Sequence, residues 1–402
     1  MEFDEIVIGS GLVALGAVLG IERERSVLVI GGPQPGRTLY YGTAARAPCG
    51  YLGSGGLGNF WHGVIPTGLR DNFAGSPPAE FARLFGYFYR RANIAAKLGA
   101  PWLFVPWRPI RPDRHWRRLR AERGAALQIV AGLVVSFEAG SAGVVVRTQT
   151  DVYRGRRLWV CAGAMHTPPL LDRSLGTRIS KPTVSDHVIC YLGQTRHAHA
   201  ARPGRSERAP DGVWFEAEYN RAGTALLTRK PAHFGFRTLD YGIEQRGVFG
   251  LPTGGVLAKL ARAGSPGLIA EALYNRAALL PRSSVHSIYA QIVVADAHEL
   301  PADNGALTPR VAIIRAATDR VRDELDYPGL IRSRCPELFI PGIHLHHSLD
   351  AGALHAAGVN RDDSALHVLD ASVYPAIGPE HHSFKLMLAA ALRTRSLSGG
   401  LR

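Results

Sequence analysis

The sequence predicts an α/β fold: a Rossmann-like domain around a parallel sheet, joined to a second part built on a sheet of its own. Three observations carry this expectation. The chain opens on an apolar run, a glycine turn and a small-residue helix. A second strand–turn–helix pattern lies at 158–171, and a third closes the chain from 365 to about 395. At 402 residues and 46% hydrophobic content, the chain can build a large core. Its 45 glycines follow no G-X-Y period, which excludes a collagen-like chain.

Residues 3–8 read as a buried parallel strand. Gly9-Ser10-Gly11-Leu12-Val13-Ala14 follows directly, then a helix over 14–22 and a second apolar run over 26–30. That is the length of one βαβ unit. Gly9 permits the tight turn, Gly11 lets the backbone approach a pyrophosphate, and Ala14 packs the helix on the strand. The free N–H groups of the helix then face the phosphates. G-x-G-x-x-A is a weak pattern alone, but its place between a strand and a helix makes it a dinucleotide-binding turn. The second strand of such a unit ends in an acid that holds the ribose. Here Gly31-Gly32 stands in its place, so the ribose contact is expected to be weak or to come from elsewhere.

Further along, Gly53-Ser54-Gly55-Gly56-Leu57-Gly58-Asn59-Phe60-Trp61-His62-Gly63 is a loop whose backbone can lie against a flat ligand. Residues 158–171 contain Cys161-Ala162-Gly163-Ala164-Met165-His166-Thr167-Pro168, a buried strand, a small-residue turn and a helix with proline in its first turn. Asp186-His187 follows. Near the end, Val368-Leu369-Asp370-Ala371-Ser372 leads to Gly378-Pro379-Glu380-His381-His382-Ser383 and a helix over about 384–395.

Together these stretches resemble the glucose–methanol–choline (GMC) oxidoreductases, a family of FAD enzymes. The likeness touches both ends and the middle of the chain, in the family's order. It implies that Gly9 and Gly11 approach the FAD pyrophosphate, that residues from Gly56 to Asn59 line the flavin, and that Ala162 and Gly163 close over the adenosine side. It also implies a backbone contact from Val134 to adenine. Asp370 and Ala371 would lie at the ribityl–pyrophosphate region. His382 and Ser383 would open the last helix at the flavin, where a helix N-terminus favours the negative charge of the reduced ring. Some relatives attach FAD through a histidine just before the loop tryptophan. Phe60 holds that position here, so non-covalent FAD is expected.

Sixteen histidines are present. His344-Leu345-His346-His347-Ser348 lies where the family has H-x-x-G-T-x-x-M-G, with His344 at the leading histidine and Gly352 at the final glycine. His346 and His347 remain alternatives for the same role. His381 falls at the family's second active-site position. The implied reaction is oxidation of an alcohol to a carbonyl, with a neutral imidazole taking the hydroxyl proton and flavin N5 taking the hydride. His187 reads as structural and His166 as a variable position. No helical H-E-x-x-H spacing is present, and no metal is expected.

The resemblance implies an FAD domain assembled from 1–75, 125–190 and 336–402, a capping insertion at 76–124 and a substrate domain at 191–335. Within the last, 287–294 and 310–314 read as strands, 202–211 as an exposed loop and 257–280 as an interrupted helix. The substrate is expected to be a small or carrier-bound alcohol, and the electron acceptor oxygen, a quinone or a protein. Two other functions stay open: a lyase on the same flavin scaffold, and a basic binding protein with a vestigial flavin site. The net charge is +14, but only five of the 47 basic residues are lysines, an arginine bias that does not itself mark a binding surface. The run 108–123 holds Arg111, Arg114, Arg117, Arg118, Arg120 and Arg123 around Trp107, His115 and Trp116. It reads as a solvated helix face over buried tryptophans rather than a specific nucleic-acid site. Cys49, Cys161, Cys190 and Cys335 form no C-x-x-C pair. The charged start and the short apolar stretch 11–21 imply a cytoplasmic protein, with a peripheral membrane contact left open.

Overall fold

The computed structural model describes residues 2–32, 36–40, 48–61, 63–68, 78–195, 206–231, 286–300, 307–325, 327, 329–332, 339–342, 344–375 and 377–398. Strand β1 (Glu2–Ile8), helix α1 (Leu12–Gly20) and strand β2 (Val27–Gly31) form the expected βαβ unit. Ile6, Val7 and Ile8 are all buried, as both faces of a central parallel strand must be. β2 pairs in parallel with β1 on one side and with Leu127–Ala131 on the other. The strand Val152–Val160 lies parallel to the far side of β1. Beyond it come the antiparallel hairpin Val134–Gly140/Gly143–Thr148 and, farther along the same strand, parallel Leu366–Val368. The first sheet is therefore a Rossmann-like α/β sheet drawn from the beginning, middle and end of the chain.

A second, antiparallel sheet centres on Thr183–Thr195 and His286–Glu299. Ala225–Pro231 extends it on one side, and Phe339–Pro341 and Leu330–Arg332 on the other. Thr183–Thr195 belongs wholly to this sheet, which therefore begins ahead of residue 191. The helix Val311–Glu324 covers it, with Ile314, Thr318 and Val321 buried. The expectation of a strand at 310–314 is corrected here. Buried positions at 314, 318 and 321 follow the helical period, which overrides the β-branched start of the segment. The expected loop at 202–211 is also corrected in part: Ser206–Ala209 pairs with Gly212–Glu216 across a Pro210-Asp211 turn. That hairpin continues through Trp102–Pro106 to Ile65–Pro66. The segment 257–280 lies outside the described residues.

The basic run forms the helix Pro112–Arg123, with Trp116 buried as expected but Trp107, just before it, 59% exposed. Cys161 and Cys190 are buried free thiols. Among the described residues no helix is long and apolar enough to cross a membrane.

Close packing joins α1 to the C-terminal helix Ser383–Ser398, which is buried on most of its circumference. A Cβ on Gly16 would lie 2.1 Å from the carbonyl oxygen of Met387, and one on Gly20 would lie 2.0 Å from that of Ala391. The backbones approach so closely that Thr394 Oγ1 donates to Ala17 O at 2.9 Å. Phe81 and Phe384 extend the contact to the helix Pro78–Phe88, with ring centroids 5.1 Å apart. Gly16→Val should force the two helices apart and lower stability by about 1–3 kcal/mol or more. Gly86→Ala, at a helical position where a Cβ meets nothing within 4 Å, should instead be neutral or stabilise by up to about 1 kcal/mol. Thermal unfolding of both variants checks the pair.

Candidate active site

The residues expected to hold a dinucleotide lie along one rim, at the carboxyl ends of the parallel strands, where ligands bind in open α/β sheets. Gly9 follows β1 with φ +106°, and a Cβ there would lie 2.3 Å from Cys161 O, so only glycine fits. Gly11 begins α1, which has no side-chain cap and no acidic residue in its first turn. Ala14 is fully buried in that helix. The glycine-rich loop folds as the short 3₁₀ helix Gly56–Phe60 and faces this turn. Ser10 clasps the two together: its Oγ accepts from Gly55 N at 2.9 Å, and its carbonyl accepts from Trp116 Nε1 at 2.7 Å. Asn59 folds back to donate to Ser54 O at 2.8 Å. Val134 is buried just past the end of Leu127–Ala131. His62 lies outside the described residues.

The rim offers a cradle of the kind a dinucleotide needs. A Cβ on Gly163 would meet nothing within 4 Å, one on Gly11 only Gly55 O at 3.7 Å, and one on Gly56 only Gly11 Cα at 3.7 Å. These backbone faces are open, and α1 points an uncapped N-terminus at them. The missing ribose acid also has a physical reason. A side chain at Gly31 would press on Ser10, with Oγ 3.0 Å away, and one at Gly32 would strike Gly53 N at 2.4 Å. Ser10 and the glycine-rich loop between them occupy the space that a longer residue at this strand end requires.

Asp370 joins the rim to the rest of the site. It is buried, and its Oδ2 accepts from Gly163 N at 2.8 Å and Thr167 Oγ1 at 2.5 Å. Its Oδ1 accepts from Ser372 N at 3.0 Å and Ser372 Oγ at 2.5 Å. Burial pushes the carboxyl pKa upward, against hydrogen bonds from Ser372, Thr167 and Gly163 that lower it. Ala162 sits in the turn so held. The next two carbonyls receive the histidine segment: His347 N donates to Ala371 O at 3.0 Å, and Leu349 N donates to Ser372 O at 3.2 Å. The other edge of that segment meets the second sheet. His346 exchanges backbone hydrogen bonds with Ser185, both 3.0 Å, and His344 N donates to Asp186 Oδ1 at 2.8 Å.

This strap brings five imidazoles together. His344 lies 5.4 Å from His381 and 5.1 Å from His187 by ring centroid, and His382 lies 5.2 Å from His344. His346 packs 5.9 Å from His187 and 5.8 Å from His382. His344 and His381 are partly exposed, whereas His187, His346 and His382 are buried. His347 turns the other way, with Nδ1 3.2 Å from Lys181 Nζ, whose ammonium also donates to Asp296 at 2.9 Å. Burial, reinforced by the neighbouring imidazoles, holds His187 and His382 well below the ordinary histidine pKa, and burial lowers His346 as well. Among the described residues no group of three ligand side chains converges as it would on a metal ion. Ser383 opens the C-terminal helix beside this cluster, and Leu386 N donates to His382 O at 2.9 Å. Glu380 accepts from Lys385 Nζ at 2.6 Å and from the Tyr219 hydroxyl, a buried network that the sequence did not reveal. Glu380 lies in the loop before the C-terminal helix, Lys385 in that helix and Tyr219 on the strand Glu218–Tyr219, so no local periodicity links them. Reading His187 as merely structural misses its contact with His344, which only the pairing of distant strands creates.

Solved structures share this fold. Pyridoxine 4-oxidase from Mesorbium loti matches with a TM-score of 0.54 at 13% identity, over 100% of both chains. A fungal aryl-alcohol oxidase matches at 0.51 and 13% over 99% of both chains. An FAD-dependent oxidoreductase from Chaetomium thermophilum matches at 0.50 and 10% over 98% of both chains. No family model matches the chain, and no curated protein sequence does. At these identities the likeness is one of fold: that of FAD-binding oxidoreductases with a Rossmann-like domain.

The buried imidazoles set an acid limit on stability. His166 and His367 are depressed to about 4, mainly by burial, and His187, His346 and His382 are depressed as well. A depressed base stays neutral in the folded chain while the unfolded chain takes up protons below about pH 6.5. Its stabilisation is present above that pH and lost as pH falls toward the folded pKa. The melting temperature should therefore drop between about pH 6.5 and about pH 4. A flat profile over that window would contradict neutral burial of the cluster.

Proposed function

We propose that the chain is a GMC-type oxidoreductase that binds FAD non-covalently along the strand-end rim and oxidises an alcohol to a carbonyl, with His344 as the base. The observation that carries this reading is the His344–His381 pair, with ring centroids 5.4 Å apart, His344 lying on a strap anchored to Ala371 next to the glycine cradle. Gly9, Gly11, Gly56, Asn59, Val134, Ala162, Gly163, Asp370 and Ala371 would hold the cofactor, with His382 and Ser383 at the helix start. When bound, FAD supplies the acceptor for the hydride leaving the alcohol carbon.

The rest of the chemistry belongs to the chain. His344 takes the hydroxyl proton, and His381 orients the hydroxyl. Burial and the neighbouring imidazoles favour the neutral forms of His187 and His382, so the groups packed around His344 add no positive charge beside it. The open backbone at Gly11 and Gly163 accommodates a pyrophosphate that a side chain would displace. Phe60 before Trp61 provides no nucleophile for covalent attachment. Turnover also requires an electron acceptor: oxygen, a quinone or a redox protein. The names of two fold neighbours specify pyridoxine and aryl alcohols, so aromatic alcohols are the first substrates to try.

The test is anaerobic addition of such alcohols to the FAD-loaded protein, followed by flavin absorbance. The flavin should bleach, and acid precipitation should release it into the supernatant. His344→Ala should slow bleaching by roughly 10²–10⁴-fold with FAD retained. His381→Asn should be milder than His381→Ala, because an amide can still orient a hydroxyl. Gly11→Val should abolish FAD binding without unfolding the chain. Bound flavin that no alcohol reduces, or full reduction by His344→Ala, would contradict the reading.

A further inference from the structure

We propose that His187 is a positioning residue that locks His344 in the tautomer carrying its proton on Nδ1 and its lone pair on Nε2. This rests on the reading of His344 as the base only for its consequence; the lock itself follows from hydrogen-bond geometry. His187 Nε2 lies 2.8 Å from Gly378 O. A carbonyl has no proton to give, so this nitrogen is the N–H of the ring. His187 is fully buried, and burial together with His344, His346 and His381 disfavours its cation. A neutral imidazole has one N–H, so His187 Nδ1 is a lone pair.

That lone pair faces two groups. Gln291 Nε2 donates to Pro379 O at 2.8 Å, which fixes the sense of the amide, and lies 3.2 Å from His187 Nδ1. The other neighbour is His344 Nδ1, also at 3.2 Å. With His187 Nδ1 an acceptor, His344 Nδ1 can bond it only as a donor that shares the lone pair with Gln291, and in that bond His344 carries Nδ1–H. The neutral ring then has its lone pair on Nε2. The main chain that carries the His344 ring is held in place, because its backbone N–H is bound to Asp186 Oδ1 at 2.8 Å. When Nε2 takes a proton from the alcohol hydroxyl, the Nδ1–H remains bonded to a neutral acceptor, and no second proton has to move. A neutral partner orients the base without adding a negative charge to the site.

Two substitutions separate positioning from simple structure. His187→Asn keeps an acceptor oxygen near the place of Nδ1 and loses the donor to Gly378. His187→Gln keeps a donor near the place of Nε2 and loses the acceptor. Positioning predicts that Gln lowers kcat for flavin reduction by roughly 10–10²-fold with KM little changed, and that Asn retains more activity. A structural role through Gly378 predicts the reverse order. Nitrogen NMR of the full-length, histidine-labelled protein at neutral pH reads the tautomer without turnover, the His344 signals being those lost in His344→Ala. Nδ1–H in the wild type, shifting toward Nε2–H in His187→Gln, supports the lock. Nε2–H in the wild type overturns it even if neither variant folds. Should the Nδ1–H form be seen while His344→Ala reduces flavin at full rate, the lock stands and the base assignment falls.

Discussion

One buried carboxylate organises the site. Asp370 is 2% exposed, and its two oxygens accept hydrogen bonds from Gly163, Thr167 and Ser372. An ionised group out of water is tolerable only when its lone pairs are met in this way. Removing the carboxylate would free the 162–167 turn on one side and the 371–372 backbone on the other. The first forms part of the glycine cradle. The second holds His347 and Leu349, and through them the strap that carries His344. Cofactor cradle and proposed base therefore share a single anchor, which sets their relative placement.

The second sheet supplies what the first cannot. Ser185 and Asp186 seize the far edge of the strap, while His187 and Gln291 lie diagonally across the paired strands Thr183–Thr195 and His286–Glu299, Gln291 standing opposite Ile189. A strand pair presents side chains at fixed spacing, so two long antiparallel strands can hold an imidazole more exactingly than a loop. The third component is the C-terminal helix, seated against α1 without intervening side chains at Gly16 and Gly20. That close contact fixes where the helix begins, and His381, His382 and Ser383 are placed by it. Packing far from the chemistry thus becomes geometry at the site.

The parts legible in the sequence are those whose cause is local. The βαβ opening, the turn at Gly163 and the helix after Ser383 follow from strand runs, glycines and helix starts within a few residues. The resemblance to GMC oxidoreductases singled out His344 and His381, and the structure brings their rings together. Three kinds of feature were hidden. The helix Val311–Glu324 opens on β-branched residues whose helical period shows only farther along. The glycines at 31 and 32 look like a defect until Ser10 is seen lying against the first and Gly53 against the second. His187, Gln291, Tyr219 and Glu380 meet other residues across long sequence separations, where strand register rather than local pattern decides the contact. His346 and His347 are adjacent in sequence yet face opposite ways, and His347 adopts φ 54°.

The central claim is that one rim, running from the glycine turns through Asp370 to the histidine strap, is the FAD site. Hydrogen–deuterium exchange of the protein with and without FAD tests it most directly, because backbone amides of this rim line the proposed cradle. Binding should slow exchange together in peptides covering 9–16, 53–60, 162–167, 370–372 and 381–386. Protection confined to other segments, while FAD is demonstrably bound, would contradict the account.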